Sequence, residues 1–522
     1  MTDARPATAP APSRAPAGSE RGGWFTTGDH KRLGVVQLYL ALACVIGGLV
    51  GAFAFQVDGD GDEIAYWTNP FTERTSAAVT FVLAIGLPVA WMGLFTHVVP
   101  LQVGARRLAL PRLHALAVWM SVAGAIVAVL AFLVGGDVVG SGLASPGPAA
   151  ALEGRKADTA TLLWVVGLAL VALALVLAAI SIITTVAVQR SAQVRLVHLP
   201  PFALAGLATA LVTLVATPAF LAGLFLLYID QRHGGTLFAS EGGAVRIWQH
   251  LLWLFGRPEA FLLAAPALGV LADVVATNAR RPLAHYPIVR AGVIAAPLLA
   301  VVAWAARSSA LEAVVVPTTT ALSVVGVLPY GLVVLALIPT LARGRPRAHP
   351  SLIFGLGFVL LAGLGALNVA LAAVVEVDHG PAWTNGHITA VLVGAPIMAI
   401  LAGVHHWAPK LWGHQVRPEL ALLQFLLVFG GAVTAAGAGY LVGYGASDGL
   451  AGVSAVGTLG LGAGLLLTIA AAALPPARRR PEYSGLTLEW ATASPPPAHN
   501  FDATPIVAEE AYAYPEKEAG LA

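Results

Sequence analysis

The chain has 522 residues, of which 57% are hydrophobic and 11% charged, where a soluble domain carries about a quarter charged residues. A mean hydropathy of +0.79 therefore excludes an ordinary soluble protein. The single cysteine, Cys44, excludes an intrachain disulfide or a thiolate metal cluster. The net charge of +2 says nothing about partners by itself, because the charges are sorted along the chain; no nucleic-acid partner is expected.

The first 28 residues are rich in Ala, Pro and Arg and lack an apolar stretch, which predicts a disordered cytoplasmic tail and not a cleaved signal peptide. From there one element repeats. A helix needs about 20 mostly apolar residues to cross about 30 Å of hydrocarbon. Twelve such stretches follow, near 33–55, 77–99, 113–135, 159–187, 201–229, 248–276, 287–306, 311–341, 352–376, 386–407, 419–444 and 451–475. The runs are continuous, unlike the alternating strands of a membrane barrel. The expected fold is an all-α integral membrane protein. A single twelve-helix domain would occupy 29–476, and a cytoplasmic C-terminal tail 477–522.

Basic residues gather in cytoplasmic loops. With the N-terminus inside, the inner segments carry Lys31, Arg32, Arg106, Arg107, Arg112, Arg280, Arg281, Arg343, Arg345, Arg347, Lys410 and Arg417, among others. The outer loops carry only Arg74, Arg155, Lys156, Arg232, Arg246 and Arg307. Both termini are thus expected on the cytoplasmic side of a bacterial-type inner membrane. The 56 glycines predict close helix packing, since small residues let backbones approach where no hydrophobic drive acts between helices.

Five segments at the helix ends are more specific: TTGDHKRLG (Thr26 to Gly34), VPLQVGARRLALPRLHAL (Val99 to Leu116), WQHLLWLFGRPEAFLL (Trp248 to Leu263), HHWAPKLWG (His405 to Gly413) and LTLEWATASPPPAHNF (Leu486 to Phe501). In this order they resemble the haem–copper (cytochrome c) oxidase subunit I family. The resemblance implies the family's twelve-helix arrangement. It also implies a terminal oxidase with a low-spin haem, a high-spin haem, a copper ion and two proton channels, with six histidines of this subunit holding the metals.

Residue by residue, the resemblance does not carry that ligand set. The second-helix haem histidine falls on Ala77. The tenth-helix pair falls on His387, at the high-spin position, and Thr389. The sixth-helix copper histidine is Arg257, and the tyrosine cross-linked in the family is Phe261. The two copper histidines of the seventh helix fall on Ala306 and Arg307. Proton-path positions change as well: Thr96 replaces an asparagine, Arg107 an aspartate and Val333 a lysine. Glu259 is retained at the proton-donor position, and His379 where the family has a histidine near an outer magnesium site. A guanidinium is a donor only and cannot ligate copper, so copper is not expected.

Two further histidine groups are candidates. His250, His379 and His387 share the outer side and form a candidate outer metal site. His97, His405 and His406 share the inner side and read as water-facing interfacial residues before they read as ligands. His387 either caps the start of the tenth helix or is the axial ligand of one haem. Arg257 and Arg307 either fill the former copper cavity, neutralised by Glu259, Glu312 or an anion, or reach toward water. The favoured expectation is a non-catalytic relative without cofactor, a degenerate pseudoenzyme of the respiratory chain that binds lipid and other oxidase subunits of type II or III. The alternatives are an active terminal oxidase, a single-haem protein using His387, and a transporter reusing the core.

Overall fold

The computed structural model describes residues 27–57, 79, 81–134, 159–192, 194–233, 237, 259–307, 312–372, 374–375, 380–476 and 483–501. These residues contain helices and no strand. Long helices follow in chain order: α1 (His30–Val57), α2 (Phe81–Gln102), α3 (Pro111–Val134), α4 (Thr159–Gln189), α5 (Pro201–Arg232), α6 (Glu259–Ala279), α7 (Tyr286–Arg307), α8 (Glu312–Arg343) and α9 (Pro350–Ala372). Then come α10, which runs unbroken through Pro381–His387, Ile388–Gly394 and Ala395–Trp412, α11 (Pro418–Gly443) and α12 (Ala451–Ala473). Among the described residues, ten of them are long and apolar enough to cross a membrane. The other two, α6 and α7, hold the shorter apolar stretches Ala265–Ala279 and Tyr286–Val302 and stand where the sixth and seventh spans are expected.

The sequence punctuates these helices. Proline opens α3, α5, α9, α10 and α11, where its missing N–H costs nothing because the first amides of a helix have no internal partner. Gly413, at φ +81°, ends α10 by returning its N–H to the Pro409 carbonyl. Three helices contain a π-helical turn: Phe81–Gly86 in α2, Thr185–Gln189 in α4 and Ile388–Gly394 in α10. Such turns insert a residue into the helix and collect at functional sites.

Burial orders the bundle. Of the apolar window of α2, 94% is buried, and of that of α10, 72%; the other eight spans lie between 33% and 56%. Thus α2 and α10 form the centre, with α6 packed on α10. Around them α3 pairs with α4, α4 with α5, α7 with α8 and α11 with α12, and α12 closes back on α1. The outward faces carry Leu133, Phe225, Leu335 and Val456, each more than half exposed, as a lipid-facing belt requires.

Glycine sets the closest contact. A methyl built on Gly431 of α11 would lie 2.5 Å from the Gly457 carbonyl oxygen of α12, and one on Gly457 would lie 2.5 Å from the Ala435 amide nitrogen. Residues 483–501 of the expected C-terminal tail fold against the bundle, with Leu488, Glu489, Trp490 and Asn500 buried. Of the expected N-terminal tail, Thr27 and Gly28 are described.

Gly431→Val should destabilise the protein by about 1–3 kcal/mol, the usual cost of overpacking a tight contact. Gly437→Ala, with no atom within 4 Å of the new methyl, should be close to neutral. Thermal unfolding in detergent compares the two.

Candidate functional site

At one end of the bundle His387 sits where α10 passes from α-helix to π-turn. It does not cap the helix start: α10 begins six residues earlier, after Gly380. Its ring is held from three sides. Nδ1 lies 3.1 Å from the Tyr440 hydroxyl of α11. The Trp383 indole stacks parallel to it at 5.3 Å, 3° between planes. Gly365 of α9 leaves room for both the imidazole edge and the Val391 side chain. Close approach of α10 and α11 makes this arrangement: a methyl on Gly386 would meet the Ala436 carbonyl at 2.7 Å.

Thr389, the residue at the second tenth-helix haem position, lies inside the π-turn Ile388–Gly394, which packs directly against the π-turn Phe81–Gly86 of α2. Val333 is fully buried on α8 and fills the notch left by Gly292 of α7. The backbones of Glu259, Phe261, Ala306 and Arg307 are helical, while their side chains lie outside the described residues. So do Ala77, Arg257, His250 and His379 altogether. The structure therefore brings together His387, Trp383 and Tyr440, and leaves the candidate outer metal site undescribed.

The inner histidines do not face water, contrary to expectation. His97, His405 and His406 are 2%, 3% and 0% exposed. They also turn to different partners. The ring nitrogens of His97 face the Lys31 and Lys410 carbonyls, each at 3.2 Å. His405 Nε2 pairs with Gln424 at 2.8 Å, and His406 Nδ1 with the Tyr483 hydroxyl at 2.8 Å. Among the described residues no three His, Cys, Asp or Glu side chains are grouped to hold a metal.

What the inner end does hold is a buried polar network that residue-by-residue reading missed. Glu489, 0% exposed, accepts three donors at one oxygen: Gln102 Nε2 at 3.0 Å, Trp407 Nε1 at 3.0 Å and Thr487 Oγ1 at 2.8 Å. The same Gln102 amide donates to Asp273 of α6 at 2.9 Å. A few residues on, Asn500 joins His30 at 2.9 Å, Lys31 at 3.1 Å and the Ala105 carbonyl at 2.7 Å. Lys410, 1% exposed, donates to the Thr492 carbonyl at 2.7 Å and lies over the Trp490 ring. Thr96, at a proton-path position, is bound into the same region by Gln37, Met92 and His114 at 2.7–3.0 Å.

Asp29, just ahead of α1, completes the network. It accepts the Lys31 amide at 3.0 Å and pairs with the Lys31 ammonium at 2.9 Å. Burial pushes its carboxyl up. The Lys31 charge, the hydrogen bonds from Lys31 and the nearby His30 outweigh that, and the net direction is down.

The polar network, the central helices and the apolar belt define a multi-pass helical membrane protein. Residues 32–448 match the family model of Cytochrome C and Quinol oxidase polypeptide I, and the chain belongs to that family. A probable cytochrome c oxidase subunit 1-beta of Nocardia farcinica is 30% identical over 540 residues, covering 98% of this chain and 91% of its own. Cytochrome c oxidase subunit 1 of Thermostichus vulcanus is 28% identical, covering 93% and 91%. Heme-copper oxidase subunit I+III of Aeropyrum pernix is 28% identical, covering 93% of this chain and 62% of that protein.

Glu489→Ala should strand three buried donors. At about 1–3 kcal/mol for each unsatisfied group the loss should be severe, and limited proteolysis should release the segment after residue 483. Glu489→Gln, which keeps one acceptor oxygen, should lose less. Asp29 has a folded-state value below its unfolded one. Its stabilisation is therefore present above the ordinary carboxylate range and is lost as pH falls through the folded value. Asp29→Asn should flatten the decline in melting temperature between about pH 5 and pH 3.

Proposed function

We propose that this chain is a non-catalytic relative of the oxidase subunit, keeping the membrane fold and contributing a scaffold to partner subunits. The observation that carries the proposal is the donor set. The family's six metal positions hold Ala77, Arg257, Ala306, Arg307, His387 and Thr389, so one imidazole remains. Copper at such a site needs imidazole or sulfur ligands, and two guanidiniums offer neither a lone pair nor a favourable charge. A low-spin haem needs ligands from both α2 and α10. Thr389 is a poor one, and its π-turn packs on that of α2. The residues therefore do not fit a haem–copper centre, and no oxygen chemistry is derived from them.

A second reading is favoured by one contact. Placing the His387 proton on Nδ1, toward the Tyr440 hydroxyl, leaves the Nε2 lone pair for a ligand, the usual support for a metal-bound histidine. His387 would then hold one haem, with Tyr440 fixing the tautomer.

Bacterial relatives such as the Nocardia protein support a place in the cytoplasmic membrane, and the sorting of basic residues supports cytoplasmic termini. The name of the Aeropyrum protein joins subunits I and III, which supports a subunit III-like partner here. Retained Glu259 lies in α6, and His250 and His379 are outer-side polar residues in this reading.

Purified protein in detergent should show no Soret band, oxidised or dithionite-reduced, no stoichiometric copper or iron, and no oxygen uptake with reduced cytochrome c or quinol. Two haems with copper and oxygen uptake would overturn the proposal. One haem without copper, lost in His387→Ala, would establish the second reading.

A further inference from the structure

The loop between α2 and α3 carries charge that no neighbouring group balances. Arg106 and Arg107 are exposed on it, and Arg112 is exposed in the first turn of α3. The Ser191 amide donates to the Val103 carbonyl at 2.9 Å, and the Val194 amide donates back to Ser191 at 2.9 Å. The α4–α5 connection therefore turns against this loop and brings exposed Arg195 to its side. Among the described residues none of these four is in an ion pair. Arg190 beside them differs, since it already donates to the Val186, Ala187 and Val194 carbonyls at 2.9–3.1 Å. Of the described carboxylates at this end, Asp29 is paired with Lys31, and Asp273 and Glu489 are buried. Glu419 opens α11, which packs on α9, α10 and α12. Four guanidiniums, always protonated, thus form an exposed field of one sign.

The C-terminal chain leaves the described residues beside this field. Asn500 Nδ2 donates to the Ala105 carbonyl at 2.7 Å, one residue before Arg106, and its Oδ1 accepts from the Lys31 ammonium and faces His30. Phe501 is buried, so the point of exit is fixed next to the loop. Residues 502–522 then hold five carboxylates, Asp502, Glu509, Glu510, Glu516 and Glu518, against the single cation Lys517. From Asp502 to Glu509 an extended chain spans about 24 Å, so the first three carboxylates are within reach of the loop. Attachment through Asn500 makes their pairing intramolecular, at an effective concentration that a free acidic partner does not match. Exposed ion pairs are individually weak, so docking needs several at once and should be sensitive to salt.

We propose that residues 502–522 dock on the α2–α3 loop as an acidic latch, their carboxylates paired with Arg106, Arg107, Arg112 and Arg195. Opposite charge, the exit point beside Ala105 and the short tether select this occupant. The inference does not depend on whether His387 takes a haem or on whether the chain is catalytic.

The test uses the full chain in nanodiscs of mixed phosphatidylcholine and phosphatidylglycerol, with phenylglyoxal modification of each arginine followed by mass spectrometry. Neutralising the segment by Asp502→Asn with Glu509→Gln, Glu510→Gln, Glu516→Gln and Glu518→Gln should speed modification of the four arginines about fivefold, the scale of two exposed ion pairs. Arg343, exposed at the end of α8, which packs on α6 and α7, should not change. High salt should deprotect the same four arginines in the wild type. In a separate measurement Arg107→Lys should give carbodiimide crosslinks to carboxylates of 502–522, and Arg343→Lys should give few. Equal modification of the four arginines in the wild-type and neutralised chains would overturn the proposal. So would crosslinks as frequent in Arg343→Lys as in Arg107→Lys. If replacing phosphatidylglycerol by phosphatidylcholine deprotects the four arginines and neutralising the segment does not, the counter-charge is a lipid headgroup and the proposal falls.

Discussion

A carboxylate with no access to water must be surrounded by donors, because an unpaired buried charge costs several kcal/mol. Glu489 gathers donors from α2, α10 and its own segment at Oε1, while Oε2 is buried with no hydrogen-bond partner among the described residues. The arrangement fixes where everything around it goes. Gln102 must stand at the last turn of α2, Trp407 must face inward from α10, and the segment 483–501 must lie beneath both. Asn500 repeats the device for the other terminus, tying His30 and Lys31 at the start of α1 to the Ala105 carbonyl. The start of α1 and the segment 483–501 are thereby tied to each other and to the inner ends of α2 and α10.

Within the apolar layer the physics differs. Lipid tails are as apolar as leucine, so helices associate through close packing and not through exclusion of water. The backbone contacts at Gly431 and Gly457, and at Gly386 and Gly439, are the result. Polar side chains at this depth bond back to their own helix, as Ser121, Thr184 and Thr213 do to carbonyls four residues earlier. The burden of specifying one arrangement therefore moves to the inner end, where buried polar groups reach partners on other elements.

This division gives the family signatures a structural role. Four of the five resembling segments supply the inner network: His30 and Lys31 from the first, Gln102 and His114 from the second, Trp407 and Lys410 from the fourth, and Glu489, Trp490 and Asn500 from the last. These residues hold helix ends together, and Thr389, in the π-turn Ile388–Gly394, is not among their hydrogen-bond partners. A family match thus reports the scaffold, and the ligand positions must be read separately to infer an activity.

The all-α membrane fold and the order and approximate limits of the described helices were legible in the sequence, because about 20 apolar residues between prolines and basic loops have one stable form in lipid. So was the family, which is a question of residue type. The destination of single polar side chains was not legible. His97, His405 and His406 sit near helix ends, where facing water is the ordinary outcome; instead Tyr483 and Trp490, remote in sequence, pack on His406, Phe354 and Gln424 on His405, and the Lys31 and Lys410 carbonyls face His97. His387 sits near a predicted helix start, yet α10 begins earlier, and Trp383 and Tyr440 from two helices decide what its ring can do. Hydrogen-bond partners 66 to 470 residues apart leave no periodic trace in a chain. Only the packed bundle brings them within 3 Å, and only there does burial turn an ordinary Glu489 into the group on which the inner end depends.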